Sequence, residues 1–70
     1  MYVIQAKVPV DGKLRGLAQY YCGPDSGFKG NLRLALRFRT EEDARRRSEQ
    51  SVHCQRMAES GALLYVRGVE

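Results

Sequence analysis

One stretch decides the fold: residues 38–61, FRTEEDARRRSEQSVHCQRMAESG, which predict a single long helix. Thr40 is suited to cap this helix because its hydroxyl can accept a hydrogen bond from a free amide of the first turn, and Asp43 completes a variant of the capping box. Glu41 places negative charge at the positive end of the helix dipole. Gly61 supplies a left-handed stop. We therefore expect the rest of the chain to pack against this helix.

Two sides of the predicted helix differ in character, at about 100° per residue. One side is made mostly of small residues, which let a helix lie close to a sheet: Ala44, Ser48, Ser51, Gln55 and Ala58, flanked by Val52 and Cys54. The other side is a stripe that we expect to face outwards: Arg46, Gln50, His53 and Met57. The sequence therefore predicts a helix with one inner and one outer face.

The first ten residues alternate in a way typical of a half-buried strand. Tyr2, Ile4, Ala6 and Val8 fall on one face, and Val3, Gln5 and Lys7 fall on the other. Asp11-Gly12 is a strong signal for a type I′ hairpin turn. Residues 13–22 then return as a second strand, in which Gly16 marks a bulge or a close backbone approach.

The segment from residue 31 to residue 39 is open to two interpretations. Its alternation places Leu32, Leu34, Leu36 and Phe38 opposite Arg33, Ala35, Arg37 and Arg39, which favours an amphipathic strand. Asn31 is also suited to cap a short helical turn. We favour the strand. Residues 23–31 before it form a turn-rich loop, and residues 62–69 predict a last strand.

The predicted fold is a single α+β domain over residues 1–70, with a small antiparallel sheet of three to four strands and one helix on one face. Its order is β-β-β-α-β, or β-β-α-β if residues 31–39 form a turn. One helix covers only one face of a sheet, so the other face is expected to be exposed. That face would carry Val3, Gln5, Lys7, Arg33, Arg37, Arg39, Leu63, Tyr65 and Arg67.

Charge and hydropathy limit the kind of partner and the cellular location that we expect. The net charge is +4, and residues 1–39 hold seven Lys or Arg against two acids, so we expect an anionic partner to be steered towards the strands. The apolar runs are too short for a membrane span, and the first residues lack the pattern of a signal peptide. We therefore expect a cytoplasmic protein without membrane contact.

Catalytic and metal-binding patterns do not stand out. Cys22 and Cys54 are too far apart for a C-x-x-C motif and are expected to be reduced thiols that are buried or half-buried. His53 and Cys54 are adjacent, so on a helix they point about 100° apart and do not easily share one ion. No nucleophile and orienting acid are evident around His53. We expect no cofactor, no metal and no enzymatic activity.

Several short motifs resemble small uncharacterised proteins encoded by phages and prophages. They are Y-V-I at 2–4, G-K at 12–13, Y-Y-C-G at 20–23, G-F at 27–28 and A-x-R-F-x-T-x-x-x-A at 35–44. The resemblance implies a bacterial host cell and a setting that includes anti-CRISPR inhibitors. In such proteins the A-x-R-F segment can be a short helical turn, which would favour the turn over the strand.

The arginines offer two hypotheses about function. Arg45, Arg46 and Arg47 fan across about 200° of a helix and have acidic neighbours at helical spacing, so local ion pairs explain them. The basic sheet face suggests partner binding. The chosen residues are Arg33, Arg37, Arg39, Tyr65 and Arg67, with Arg46, His53 and Met57 on the helix as second choice.

We expect these residues to occlude a surface of a larger protein or nucleoprotein complex, as an anti-CRISPR inhibitor would. The alternative is a small nucleic-acid-binding protein, since basic residues interleaved with aromatics can track phosphates while bases stack. A homodimer that buries the free sheet face is a third reading. Each of the three uses the same exposed, cationic face of the sheet.

Overall fold

The computed structural model describes residues 1–7, 9–10, 13–14 and 18–69. It shows a small α+β fold with an antiparallel sheet of four strands and two helices, which confirms the predicted class. The strands are β1 (Tyr2–Lys7), β2 (Pro9–Val10), β3 (Lys13–Leu14), β4 (Gln19–Tyr21), β5 (Phe28–Lys29) and β6 (Leu63–Gly68). The helices are α1 (Glu41–Gln50) and α2 (Val52–Glu59), preceded by a 3₁₀ turn (Leu32–Leu34).

The main sheet has the order β5-β4-β1-β6, so β1 and β4 are its central strands. β1 pairs with β6 along its whole length, from Tyr2 opposite Gly68 to Lys7 opposite Leu63. On its other side β1 pairs with β4, where Gln5 lies opposite Tyr20. The alternation of the first residues therefore predicted the strand that has a partner on both sides.

The predicted hairpin is confirmed where the structure describes it. β2 and β3 form a separate two-stranded sheet, with Val10 opposite Lys13. The Asp11-Gly12 turn and the Gly16 bulge lie outside the described residues. The return strand expected over residues 13–22 is not continuous, because β3 and β4 belong to different sheets.

The prediction of a single long helix is wrong at Ser51. This residue has an extended conformation, with φ −73° and ψ 130°, and it ends α1 and caps α2. Its hydroxyl accepts from the Cys54 amide at 3.4 Å, while its own amide donates to the Arg47 carbonyl. Serine favours such caps because its side chain competes with the helical backbone for hydrogen bonds. The Thr40 cap is confirmed, with its hydroxyl 3.1 Å from the Asp43 amide.

The favoured third strand over residues 31–39 is also wrong, and the alternative of a helical turn is right. Leu32–Leu34 form the 3₁₀ turn, which Asn31 caps by accepting from the Arg33 amide at 3.0 Å. The chain then becomes extended, and Phe38 exchanges two backbone hydrogen bonds of 2.8 Å with Tyr2. The loop expected over residues 23–31 contains the short strand β5.

Buried side chains form two clusters, one on each face of the sheet. The helix side holds Ile4, Tyr21, Ala44 and Cys54, with Leu64 and Val66 packed against them. The other side, here called the reverse face, holds Val3, Tyr20 and Ala35, with Ala18, Leu32 and Val69 packed against them. The segment around the 3₁₀ turn therefore covers part of the reverse face.

The prediction of a fully exposed reverse face is wrong, because the segment around the 3₁₀ turn covers part of it. Val3 has no exposed surface and Gln5 is only 8% exposed, although both belong to the face that was expected to be free. The helix faces were predicted in part: Ala44 and Cys54 are buried, but Val52, Gln55 and Ala58 are exposed. Among the described helices, none combines the length and the apolar character that crossing a membrane requires.

Candidate binding surface

The uncovered part of the reverse face is built by the pairing of β1 with β6. Opposite residues of an antiparallel pair share a face, so Gln5 lies beside Tyr65 and Lys7 beside Leu63. These four residues and Arg67 are here called the open patch. Leu63 is 47% exposed and Tyr65 is 36% exposed. An open depression of about 390 Å³ lies here, lined by Gln5, Lys7, Tyr65, Val66 and Arg67.

Arg67 is held in place within the open patch. Its Nη1 atom donates to Oε1 of Gln5 at 3.3 Å, across the β1–β6 pair. Gln5 is buried and β-sheet hydrogen bonds fix its backbone, so it is a rigid acceptor. The guanidinium keeps its other N–H donors, because an arginine side chain carries five. Arg67 therefore presents a positioned cation beside the Tyr65 ring.

The other predicted arginines lie elsewhere. The structure contradicts their alignment on one strand, since Arg33 lies in the 3₁₀ turn and Arg37 and Arg39 follow it. Arg37 lies between Leu36 and Phe38, which both pack on the helix side, so alternation directs it to the reverse face. The bridge between Tyr2 and Phe38 places it next to Val3, on the opposite side from Arg67.

Arg37 and Arg67 therefore lie on either side of the buried Val3. Their backbones are two strand spacings apart, which is about 10 Å. Arg33 and Arg39 are exposed, outside the strands of the sheet. The structure therefore brings together Tyr65, Arg67 and, at the margin, Arg37. Sequence reasoning did not choose Lys7 and Gln5 as site residues, although the period-two pattern had placed both on this face.

The second-choice residues on the helix do not form one surface stripe, because the break at Ser51 divides them between α1 and α2. Arg46 on α1 pairs with Glu42 at 3.0 Å, and Arg45 pairs with Glu41 at 2.8 Å. These contacts confirm that local ion pairs occupy two arginines of the run. Met57 on α2 is half-buried.

His53 is held by a loop. Its Nε2 atom lies 2.7 Å from the Pro24 carbonyl oxygen, so this nitrogen carries the proton that is donated. The ring also lies against Gly27, where a Cβ atom would come within 3.3 Å of Nδ1. The histidine therefore joins the first turn of α2 to the loop between β4 and β5.

The two cysteines are free thiols in different environments. Cys54 is fully buried in the helix-side cluster, while Cys22 is half-buried and its Sγ donates to the Tyr20 carbonyl. Burial raises the pKa of the Cys54 thiol, and the Ser51 hydrogen bond and Arg47 partly offset this rise. Within the described ranges, no group of three His, Cys, Asp or Glu residues is placed to hold a metal ion.

The described acidic residues are unevenly distributed over the molecule, whereas arginines lie both on the helices and on the reverse face. The described acidic residues lie on the helices or in the turn at 24–26: Asp25, Glu41, Glu42, Asp43, Glu49 and Glu59. None of these carboxylates belongs to the reverse face, where Lys7, Arg67 and Arg37 lie. The patch can therefore attract an anionic surface without an opposing charge of its own among the described residues.

The open patch follows from strand pairing, so its residues are brought together by the fold and not by a recognisable sequence motif. The resemblance to phage-encoded proteins stays a prediction. No protein-family model matches the chain, and neither a curated protein nor a solved structure matches it.

Proposed function

We propose that this protein is a non-enzymatic binding module that docks its open patch on an acidic surface of a larger protein or nucleoprotein complex. The observation that carries the proposal is that the reverse face holds Lys7, Arg67 and Arg37 but none of the described carboxylates. Lys7 and Arg67 flank the partly exposed Tyr65, and the described carboxylates lie on the other parts of the molecule. Such a patch favours an anionic partner and disfavours a cationic one.

The residue types of the patch suit protein recognition. Tyrosine and arginine are enriched among the residues that contribute most to binding at protein interfaces. The hydrogen bond from Arg67 to Gln5 restricts the arginine before binding, which reduces the entropy lost on association. Arg37 lies beyond the buried Val3 and would extend the contact along the same face. The proposed contact needs no chemical step by the protein.

The narrower form of the proposal rests on the sequence. The resemblance to small phage-encoded proteins suggests action in the cytoplasm of a bacterial host, where the module would occlude a functional surface, as an anti-CRISPR inhibitor does. The contacts of His53 and Cys54 support a non-enzymatic role. His53 is bound to a backbone carbonyl, and Cys54 is buried with a raised thiol pKa.

The test is capture of a bacterial host partner with charge-reversal variants. Lys7→Glu changes the patch at a β1 residue and leaves the residues of β6 as they are, and Arg56→Glu makes the same charge change on the exposed surface of α2. We expect a partner that is retained after nuclease treatment, lost with Lys7→Glu and kept with Arg56→Glu. Binding of the identified partner should then weaken as salt rises. Equal capture by both variants would reject the open patch as the docking surface.

Nucleic acid is the second candidate, and the position of Tyr65 favours it. An exposed ring between two cations matches the way in which proteins stack a base while they neutralise neighbouring phosphates. This candidate predicts retention of labelled single-stranded DNA or RNA that falls steeply with salt. Tyr65→Leu should weaken it, because leucine keeps an apolar side chain but cannot stack. Absence of binding at low salt would remove this candidate.

A further inference from the structure

β6 is an edge strand of the main sheet, and its outer side has no strand partner among the described residues. It is six residues long and pairs with β1 without interruption. Natural edge strands are usually protected by proline, lysine, a bulge or a covering segment, since a free edge can pair with another chain. The sequence LLYVRG contains neither proline nor lysine, its single charged residue is Arg67, and the register with β1 is continuous, without a bulge.

The outward backbone groups of β6 can be identified from its pairing. Met1 and Val69 exchange two hydrogen bonds, of 2.8 and 2.7 Å, across the end of the β1–β6 pair. In an antiparallel pair, hydrogen-bonded positions alternate, so Arg67, Tyr65 and Leu63 also bond to β1. The amide and carbonyl groups of Leu64, Val66 and Gly68 therefore point outwards. No hydrogen bond joins these groups to another described residue.

We propose that a second copy of this chain pairs with β6 in the antiparallel sense, with the two-fold axis at Val66. The two Val66 residues then exchange hydrogen bonds, and each Leu64 does so with the second copy's Gly68. This register uses all three outward positions and forms about six backbone hydrogen bonds. The result is one continuous sheet across both copies.

The side chains of β6 complement each other in this register. Between the hydrogen-bonded positions, Tyr65 lies opposite the second copy's Arg67, and the symmetry repeats this contact. To reach this ring, the Arg67 guanidinium gives up its hydrogen bond to Gln5 and turns to the outer side of β6. There it is attracted by the π electrons of the tyrosine, and cross-strand pairs contribute to sheet stability. A two-fold contact requires a surface complementary to itself. The spacing of Tyr65 and Arg67 around Val66 satisfies that requirement.

The helix side of the edge leaves space for a second strand. A groove of about 300 Å³ runs beside β6, lined by Glu41, Arg45 and Ser48 of α1 and by Leu64, Tyr65 and Val66. Only Val66 side chains meet at the axis, because Leu64 lies opposite glycine. A register centred on Tyr65 is poorer, since it forms about four hydrogen bonds and places the two tyrosines against each other.

This inference concerns the edge of the sheet and does not depend on the proposed function. A dimer of this kind would place two open patches side by side on one face. The Lys7→Glu variant that tests the proposed function lies on β1, away from the paired edges. Loss of partner capture and loss of dimerisation are therefore distinguishable.

The test is sedimentation of the whole chain over a range of concentrations, together with two matched variants. Tyr65→Lys places a cation opposite the second copy's Arg67 twice and should weaken the dimer about tenfold or more. Tyr65→Glu places a carboxylate there and should retain the dimer. Circular dichroism checks that both variants fold. A monomer at all concentrations overturns the proposal, as does equal weakening by both variants.

Amide hydrogen exchange gives a second measurement. In the dimer, the amides of Leu64, Val66 and Gly68 should exchange slowly, and on dilution to the monomer they should exchange fast. The Tyr65 and Arg67 amides bond to β1 in both states and should stay protected. If the three outward amides exchange fast in a sample that sediments as a dimer, the pairing of the edges is excluded.

Discussion

The Nε2 atom of His53 lies 2.7 Å from the carbonyl oxygen of Pro24, a residue 29 positions earlier in the chain. This contact ties α2 to the loop between β4 and β5, which is rich in residues that favour turns. The sequence pattern placed His53 on an outward stripe of the helix. The structure shows that it joins two elements, a role that helical periodicity alone does not reveal.

Replacing His53 by alanine should therefore destabilise the fold. The loss of one hydrogen bond and of the ring packing against Gly27 should lower the free energy of unfolding by about 1 kcal/mol or slightly more. Urea denaturation measures the change. Gln50→Ala is the control, since Gln50 is exposed at the end of α1, and its effect should be smaller. Equal effects would show that the contact contributes nothing to stability.

Gly27→Ala should be costly for two reasons. Gly27 has φ +66°, where a side chain adds roughly 1 to 2 kcal/mol of strain, and the new Cβ would come within 3.3 Å of the His53 ring. Gly30→Ala is the matched control, because its nearest contact would be an ordinary one at 4.0 Å. We expect a lower thermal midpoint for Gly27→Ala alone; similar midpoints would contradict the described loop geometry.

Stability should fall at alkaline pH because of Cys54. Burial raises the pKa of this thiol in the folded state, so the unfolded state loses its proton first. The stability that the buried, protonated Cys54 thiol contributes is fully present below the ordinary thiol pKa of 9.0. It is lost as the pH rises towards the folded-state pKa.

Urea denaturation between pH 8 and pH 10.5, roughly the range in which a thiol titrates, checks this expectation. Replacing Cys54 by alanine should reduce the slope of the free energy of unfolding against pH at high pH, by at most about 1.4 kcal/mol per pH unit. Cys22→Ala is the control and should keep the slope of the parent protein. A Cys54→Ala slope equal to that of the parent would contradict the expectation.

Ala35→Glu should disrupt the cover of the reverse face. Ala35 is buried against Val3 and Tyr20 in an apolar cluster. A glutamate side chain is larger than the space that alanine fills and carries a charge into apolar surroundings, so we expect a loss of more than about 2 kcal/mol even with Arg37 on the same face. Ala58→Glu, on the exposed surface of α2, should cost less than about 0.5 kcal/mol. Chemical denaturation compares the two variants.

The sequence predicts the sheet better than the segments that connect its strands. β1 and β6 follow from alternation, because a strand with two different faces has period two. Residues 31–39 alternate equally well, yet the Asn31 side chain caps a 3₁₀ turn and the strand does not form. A local hydrogen bond decided between two conformations that the apolar pattern did not separate.

Local side-chain hydrogen bonds also limit what the sequence predicts about the helix and the site. Ser51 is tolerated inside helices, so nothing in residues 38–61 shows that its hydroxyl caps a second helix. Tyr65 and Arg67 were foreseeable because they depend on alternation within one strand. The placement of Arg33 and Arg39 depended on the third strand and failed with it. Side chains fixed by strand pairing are predictable, and those on connecting segments are not.

The pairing of β1 with β6 has a consequence for folding during synthesis on the ribosome. β1 is synthesised before its neighbour β6, and the contact between Gln5 and Arg67 joins residues that are 62 positions apart. Local helices can form early, but closing the sheet must await the synthesis of β6. The nascent chain thus carries an incomplete sheet until β6 has been made.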